Sequence, residues 1–360
     1  MEQFEKAANE IVKQEELNRF GDNITKYNMK TVIWGVGDCG HRVYDVLTEQ
    51  NIRIDFFADN CYSGSEDRIT GVRMIDTDNI FQEKEKYNIL VSVVNDDAYH
   101  AIYRQLINGG VRESQIWNMG RYIERLTVGF FHKNCDRYKA VYNMLGDSIS
   151  KKVYLERMKR VYLLNDLAGI ASPAEEEYFD KINVISENEV FVDCGGFDGR
   201  TSQRFIERCN GKYKKIIIFE PEICKRELIE QNMGGEKYLL YPYGVWSEEK
   251  KLYFEARGDV ASHITKQKSD YVIQVVALDQ YIYHEAPTLI KMDIEGAEQE
   301  ALVGARKTIQ TYRPKLVICL YHKPEDLFEI PLYIKSLNSD YNLYIRQYSN
   351  TKYETVCYAV

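Results

Sequence analysis

Residues 190–201 read VFVDCGGFDGRT, and this stretch decides the fold of the second half of the chain. An apolar run ends in Asp193, and Thr201 lies where a helix is predicted to begin. The glycines between them are Gly195, Gly196 and Gly199. A strand that enters a helix through a glycine-rich turn is typical of an open α/β sheet. Because glycine allows a ligand close to the backbone and a helix start attracts a carboxylate, the stretch predicts a ligand cradle.

Two acidic residues at strand ends indicate what the cradle binds. Asp193 is placed to meet an ammonium group, directly or through water. Glu220 ends the strand KKIIIFE, 21 residues beyond Gly199, where an acid accepts both hydroxyl groups of a ribose. Because the order DxGxxxG puts an acid before the first glycine, the pattern favours S-adenosylmethionine over a dinucleotide. Trp246, after a third predicted strand, is expected either near the adenine or in the core.

Five segments together resemble a known family. They read VFVDCGGFDGRTSQRF, IIFEPE, VALDQYI, LIKMDIEGAEQEALVGA and PKLVICLYHKPEDLFEIPLYIKSL. From about Tyr178 to the carboxyl terminus, the chain resembles the FkbM-type methyltransferases. The resemblance implies a class I methyltransferase fold, S-adenosylmethionine as donor, and methylation of a hydroxyl, often on a sugar or polyketide. One position departs from the pattern, since many relatives carry Glu where Tyr321 precedes the histidine.

The candidate catalytic residues follow two later strands. Asp293 and Glu295 come after the strand LIKM, and His322 comes after KLVICLY. Since an alcohol needs a proton acceptor, and the ordinary histidine pKa leaves the ring neutral, we predict His322 as the general base. Asp293 is expected to position the donor or the acceptor. Glu295 is expected to act either as such a positioning group or as the base. The alternative is a histidine that bonds backbone. We expect no metal, although Asp293, Glu295 and His322 also offer ligands for a divalent cation.

The first half of the chain carries a second glycine pattern. GVGDCG matches the dinucleotide fingerprint GxGxxG through Gly35, Gly37 and Gly40, and Asp59 follows 19 residues after the last of these. It resembles the nucleotide-binding domain at the amino terminus of sugar O-acyltransferases and sugar-nucleotide enzymes. The resemblance implies a bound nucleotide or nucleotide-sugar. The alternative is a scaffold that binds nothing.

The alternation of strands and helices predicts an α/β protein with two Rossmann-like domains. The larger, C-terminal one is a class I methyltransferase sheet that ends in an antiparallel hairpin, and a helical bridge joins the two. The predicted segments are an N-terminal helical segment at 1–28, a Rossmann-like domain at 29–120, the bridge at 121–181, and the methyltransferase domain at 182–360.

Composition excludes several classes of function. The net charge is -8, and a local excess of basic residues at 121–160 lacks the overall basicity of a nucleic-acid face. No apolar run approaches a membrane span or a signal-peptide core, so we expect a cytoplasmic protein. The eight cysteines show no CxxC spacing, which disfavours zinc. The expected partner is a small-molecule or carbohydrate acceptor, nucleotide-linked or free, and oligomer formation stays open.

The sequence thus predicts an S-adenosylmethionine-dependent O-methyltransferase that acts on a sugar hydroxyl during polysaccharide biosynthesis. Two alternatives use the first domain instead. One is a nicotinamide-dependent sugar-nucleotide enzyme, and the other is a non-catalytic sugar-nucleotide-binding protein.

Overall fold

The fold is known from a computed structural model of the 360-residue chain. It describes residues 2–17, 29–49, 51–61, 65–93, 96–120, 128–163, 167–235, 237–255, 263–264, 271–351 and 353–360. The part of the predicted N-terminal segment at 18–28 lies outside the described residues. Within the described residues, no helix is long and apolar enough to cross a membrane.

The chain divides into two compact units. The first comprises Met1–Phe131 and Val161–Leu164, and the second comprises His132–Arg160 and Asn165–Val360. The predicted bridge is therefore not a unit of its own, and most of it groups with the second unit. Packing explains the difference, because the Tyr138 and Phe328 rings lie 4.8 Å apart.

The first unit holds a four-stranded sheet in the order β2-β1-β3-β4, with all neighbouring strands parallel. Its strands are β1 (Lys30–Trp34), β2 (Phe56–Ala58), β3 (Tyr87–Val91) and β4 (Ile116–Asn118). Its helices are Glu2–Leu17, Asp38–Glu49, Thr77–Gln82 and Asp96–Asn108, with 3-10 turns at Lys84–Lys86 and Glu113–Gln115. Separate apolar clusters contain alternate residues of β1, Ile33 in one and Val32 in the other. Both faces of the sheet are therefore covered, as a parallel sheet requires.

The second unit is built on a seven-stranded sheet in the order β14-β15-β13-β12-β5-β6-β7. These strands are β5 (Val190–Cys194), β6 (Lys215–Phe219), β7 (Leu239–Tyr241), β12 (Leu289–Met292), β13 (Lys315–Cys319), β14 (Leu343–Gln347) and β15 (Thr355–Ala359). Strand β15 is antiparallel to both β13 and β14, which confirms the predicted terminal hairpin. The chain leaves β5 towards β6 and later returns through β12 on the other side of β5. The strand order reverses at that point, and open α/β sheets bind ligands there.

A smaller sheet has the order β10-β9-β11-β8. Its strands are β8 (Gly244–Trp246), β9 (Lys250–Glu255), β10 (His263–Ile264) and β11 (Val272–Ala277). Strands β9 and β11 pair antiparallel and form a hairpin-like insertion between β7 and β12 of the main sheet.

Helices accompany the second sheet. Two helices at Val128–Met144 and Ser148–Leu163 occupy the predicted bridge. The others are Arg200–Arg208, Ile223–Met233, Leu278–Ile282, Glu298–Gly304, Arg306–Tyr312 and Asp326–Leu337, with 3-10 turns at Ala168–Ile170, Ala174–Glu176 and Tyr283–Glu285. The main apolar cluster joins residues of β5, β6, β12, β13 and β15, so a continuous core positions the strand ends that form the site.

Candidate active site

A cavity of about 500 Å³ lies at the carboxyl ends of β5, β6 and β12. This volume is in the range of small-molecule sites. Five of the predicted site residues line it, namely Gly195, Thr201, Glu220, Asp293 and Glu295. The cavity lining does not include the other five, which are Asp193, Gly196, Gly199, Trp246 and His322.

The glycine-rich turn packs tightly against its own protein. Gly195 has φ +80°, and a Cβ added there would lie 2.0 Å from the carbonyl oxygen of Asp293. The NH groups of Gly195 and Gly196 donate to the Phe219 carbonyl at 3.0 and 3.2 Å. Gly199, at φ +83°, precedes the helix that begins at Arg200. Glycine is therefore required by contacts inside the turn, whatever the cavity binds.

Glu220 is held rigidly at the edge of the cavity. Its Oε2 accepts the NH of Phe197 at 3.0 Å, and its Oε1 accepts the NH of Glu222 at 2.9 Å. The residue is only 6% exposed. Burial raises the pKa of Glu220 to about 7, although the two backbone NH groups work against this rise. The carboxyl group at the predicted ribose position is thus fixed and titrates near neutral pH.

Asp193 lies outside the cavity. It is fully buried, its Oδ1 lies 3.0 Å from Lys291 Nζ, and its Oδ2 accepts the hydroxyl of Ser202 at 2.8 Å. The structure pairs Asp193 with groups of the protein, and its contact with a ligand ammonium group, directly or through water, stays a prediction. The positively charged group beside Asp193 is the side-chain ammonium of Lys291.

Lys291 is a site residue that sequence reasoning missed. Its Nζ donates to the carbonyl of Gly195 at 2.8 Å, and its side chain is 3% exposed yet contributes to the cavity lining. Burial lowers the pKa of Lys291, but the charges of Asp193 and Asp293 outweigh burial and raise it. The available signal was a lysine in the middle of an apolar strand, since a buried lysine is almost always paired.

Asp293 is oriented by two tyrosines. The hydroxyl of Tyr178 donates to Oδ2 and the hydroxyl of Tyr321 donates to Oδ1, each at 2.8 Å. Burial raises the pKa of Asp293, but Lys291, His322 and the tyrosine hydroxyls bring it below the ordinary value. Asp293 is therefore a carboxylate at neutral pH, as a positioning group requires.

His322 is enclosed by carboxylates. Its Nδ1 lies 2.9 Å from Glu298 Oε1, and its Nε2 lies 3.4 Å from both Asp293 Oδ1 and Glu295 Oε2. Burial alone lowers the pKa of His322, but the three negative charges raise it to about 9. The predicted neutral ring is therefore wrong at pH 7, because the ring carries a proton there. Its role as a general base stays a prediction.

Glu177 is a second residue that the sequence did not single out. It lines the cavity, and its Oε1 is buried without a hydrogen-bond partner among the described residues. Burial, followed by the charges of Glu354 and Asp293, raises the pKa of Glu177 to about 7. Nothing in the acidic run AEEEYF distinguishes this glutamate from its neighbours.

Four non-glycine residues with positive φ line the cavity. They are Tyr178 (65°), Phe197 (48°), Glu295 (55°) and Glu354 (61°). Such conformations cost about 1–3 kcal/mol each and cluster at functional sites, because the surrounding structure must hold them. Their position supports the cavity as the functional site.

Trp246 belongs to the core of the small sheet. Its side chain packs against Ile273 and Val275, and Lys250 Nζ lies 5.2 Å from its ring centroid. The cavity lining does not include Trp246, so the structure favours the core alternative, and the contact with adenine stays a prediction. The aromatic rings in the lining include Phe197 and Tyr243.

The predicted nucleotide residues of the first unit also come together. Asp59 Oδ2 accepts the NH of Val36 at 3.1 Å, and Oδ1 accepts the NH of Cys61 at 2.8 Å. A Cβ added at Gly40 would lie 1.9 Å from the carbonyl oxygen of Gly35, whereas a Cβ at Gly37 would meet no atom within 4 Å. The turn therefore has no room for a side chain at Gly40, but it has open space at Gly37. Binding of a nucleotide at this turn stays a prediction.

Two family models match separate parts of the chain. Residues 193–347 match the model described as the methyltransferase FkbM domain, and residues 27–117 match the model described as C2185-like, N-terminal. A comparison with curated proteins finds no match.

Several solved structures are similar to this chain. Methyltransferase FkbM from Methylobacillus flagellatus KT shows 20% identity and a TM-score of 0.68, covering 100% of this chain and 98% of its own. An rRNA methylase from Streptococcus thermophilus shows 16% identity and a TM-score of 0.33, with coverages of 49% and 87%. Fibrillarin from Aeropyrum pernix, solved with natively bound S-adenosyl-L-methionine, shows 8% identity and a TM-score of 0.32, with coverages of 49% and 67%.

At 20% identity the similarity to the Methylobacillus flagellatus structure concerns the fold alone. Residues 193–347 thus match the methyltransferase FkbM domain model, and the chain has a class I methyltransferase fold.

Proposed function

We propose that this protein is an S-adenosylmethionine-dependent O-methyltransferase that acts on a hydroxyl group of a carbohydrate. The observation that carries the proposal is the fixed carboxyl group of Glu220 in the cavity of the FkbM domain. An acid at the end of the second strand of such a fold accepts ribose hydroxyls.

The charges of the cavity fit the donor. Its lining contains seven acidic residues and two basic ones, Arg204 and Lys291. The acidic residues are Glu177, Asp198, Glu220, Glu222, Asp293, Glu295 and Glu354. When bound, S-adenosylmethionine supplies a methyl group on a positively charged sulfur. The acidic lining favours such a cation, and Glu220 would hold its ribose while the turn at Gly195 and Thr201 flanks it.

Glu177 is our candidate for the proton acceptor. An alcohol must lose its proton as methyl transfer proceeds, and a base is most effective when its pKa is near the working pH. The pKa of Glu177 is raised to about 7, and its Oε1 has no competing hydrogen bond among the described residues. His322, which the sequence favoured, is already protonated at that pH.

A carbohydrate acceptor, free or nucleotide-linked, is supported by the polar character of the remaining lining. Tyr178, Tyr243 and Tyr353 line the cavity, and tyrosine rings pack on sugar rings while their hydroxyls form hydrogen bonds. The acidic side chains accept hydrogen bonds from sugar hydroxyls.

Calorimetric titration with S-adenosylmethionine tests the donor. We expect micromolar binding to the wild-type chain and binding about 10- to 150-fold weaker to Glu220→Ala, since hydrogen bonds to a charged group contribute about 1.5–3 kcal/mol. Glu227→Ala, on the exposed side of the next helix, is the matched control and should bind as the wild type does. The proposal fails if the wild type does not bind, or if both variants bind equally.

The donor affinity should depend on pH. With its pKa near 7, Glu220 becomes protonated as the pH falls from 8 to 6, and a protonated carboxyl accepts hydrogen bonds less well. Besides burial, the charges of Glu222 and Lys225 act on this group. We therefore expect the affinity for S-adenosylmethionine to fall below about pH 7 in the wild type. Calorimetry at several pH values should show a much flatter profile for Glu220→Gln, and identical profiles would contradict the assignment.

A second candidate function is nucleotide binding by the first unit, as in a nicotinamide-dependent sugar-nucleotide enzyme or a non-catalytic sugar-nucleotide-binding protein. It is favoured by the hydrogen bond between Val36 and Asp59 and by the open space at Gly37. Fluorescence titration with NADH, and calorimetry with nucleotide-sugars, would detect such a ligand. No response to either would remove this candidate.

A further inference from the structure

We propose that Asp293, Glu298 and His322 bind a divalent transition-metal cation beside the cavity. This site shares Asp293 with the cavity lining, but it shares no residue with Glu220 and its hydrogen-bond partners.

The geometry brings one ligand atom from each of the three residues within 4.8 Å of the other two. A ring nitrogen of His322 lies 2.9 Å from Glu298, and the other ring nitrogen lies 3.4 Å from Asp293. Ligands that bind one ion at about 2.0–2.2 Å lie roughly 3–4 Å from each other. Because only one ring nitrogen of His322 can bind the ion, the carboxylates of Asp293 and Glu298 must move towards that nitrogen when an ion binds between them.

An unpartnered polar atom points to a ligand at this place. Glu298 is fully buried, and its Oε2 has no hydrogen-bond partner within the described part of the chain. The side chain of His322 is 8% exposed, and its Nδ1 lies 2.9 Å from the other carboxylate oxygen of Glu298, Oε1. Leaving the buried Oε2 of Glu298 unpaired costs about 1–3 kcal/mol, and a bound cation would remove the cost.

The local charge also favours a cation. Four carboxyl residues, Asp293, Glu295, Glu298 and Asp326, surround one imidazole. Glu298 and Asp326 are both buried, so water screens their repulsion poorly. A divalent ion bound at Glu298 would balance this excess of negative charge.

The ligand chemistry selects the class of ion. Calcium and magnesium prefer ligand sets made only of oxygen, whereas an imidazole with carboxylates suits manganese, iron, cobalt or zinc. Tyr178 and Tyr321 donate to Asp293 and hold its carboxylate, as the outer partners of metal ligands do. Because Asp293 also lines the cavity, the ion would lie next to the space for an acceptor.

The test is calorimetric titration of the chelator-treated, full-length protein with Mn²⁺ and with Co²⁺, in the absence of S-adenosylmethionine. We expect one ion per chain for the wild type, and affinity reduced at least about tenfold in His322→Ala and in Glu298→Gln. His284→Ala, which removes an exposed histidine elsewhere in the same unit, should bind as the wild type does. Co²⁺ should also give a visible absorption band that is lost in His322→Ala.

The proposal is overturned if neither ion binds the wild type, or if both ligand variants bind as tightly as the wild type. Circular dichroism establishes which variants are folded. If His322→Ala does not fold, Glu298→Gln and Asp293→Asn decide the result, since both keep the size of the side chain. Failure of S-adenosylmethionine to bind would count against the proposed function and leave the cation site standing.

Discussion

Replacing Lys291 by methionine is expected to lower the free energy of unfolding by about 3–5 kcal/mol. The side chains of Lys291 and Asp193 are 3% and 0% exposed, so the substitution leaves a buried carboxylate without its cation. The variant also loses the bond from Lys291 Nζ to the Gly195 carbonyl, which ties β12 to the glycine-rich turn. Urea unfolding followed by circular dichroism measures the change.

Two control variants show whether the loss of stability in Lys291→Met arises from the burial of the charged pair. The double variant Lys291→Met with Asp193→Asn removes both charges and should recover much of the stability. Lys212→Met breaks the exposed pair with Glu187, whose side chains are 62% and 64% exposed, and should cost less than about 1 kcal/mol. Equal losses for Lys291→Met and Lys212→Met would refute the argument.

The Glu177→Gln variant is expected to lower kcat about 10²- to 10⁴-fold while the affinity for S-adenosylmethionine stays near the wild-type value. Glutamine keeps the size of the side chain but cannot take a proton from the acceptor hydroxyl. The rate is measured as transfer of a labelled methyl group to a panel of sugars and nucleotide-sugars. In the wild type, the rate should fall as the pH drops below about 7, where Glu177 becomes protonated.

The matched control is Glu176→Gln. Glu176 is the preceding residue and does not contribute to the cavity lining, so its variant should keep the wild-type rate. If Glu177→Gln retains nearly full activity, the proton acceptor is another group.

The fold of the second unit was largely predictable from local patterns. The apolar runs that end at Asp193, Glu220 and Met292 predicted three strands, and their ends agree with those of β5, β6 and β12 within one residue. Apolar runs bounded by glycine and acidic residues carry this information locally. The structure groups most of the predicted bridge at 121–181 with the second unit, in which Tyr138 packs against Phe328, far along the chain.

The sequence predicted site residues only where a short motif follows the end of a single strand. Glu220 was predicted from its spacing after the glycine-rich turn, and in the structure it lines the cavity. Tyr178 and Asp293 are 115 residues apart in sequence, so their hydrogen bond leaves no local pattern. The pKa of His322 depends on three carboxylates from another segment, which is why its ordinary value was a poor guide.

Asp59 and Glu220 share one arrangement in their separate units. Each carboxylate accepts the NH of a residue within the glycine-rich turn and the NH of the residue two places after itself. Through these hydrogen bonds the carboxylate holds the glycine-rich turn against the neighbouring strand, and it does so without a bound ligand. A glycine turn followed by an acid can be maintained for this mechanical reason alone. In the second unit the same carboxylate also lines a cavity, so there the group that holds the turn is already in place to meet a ligand.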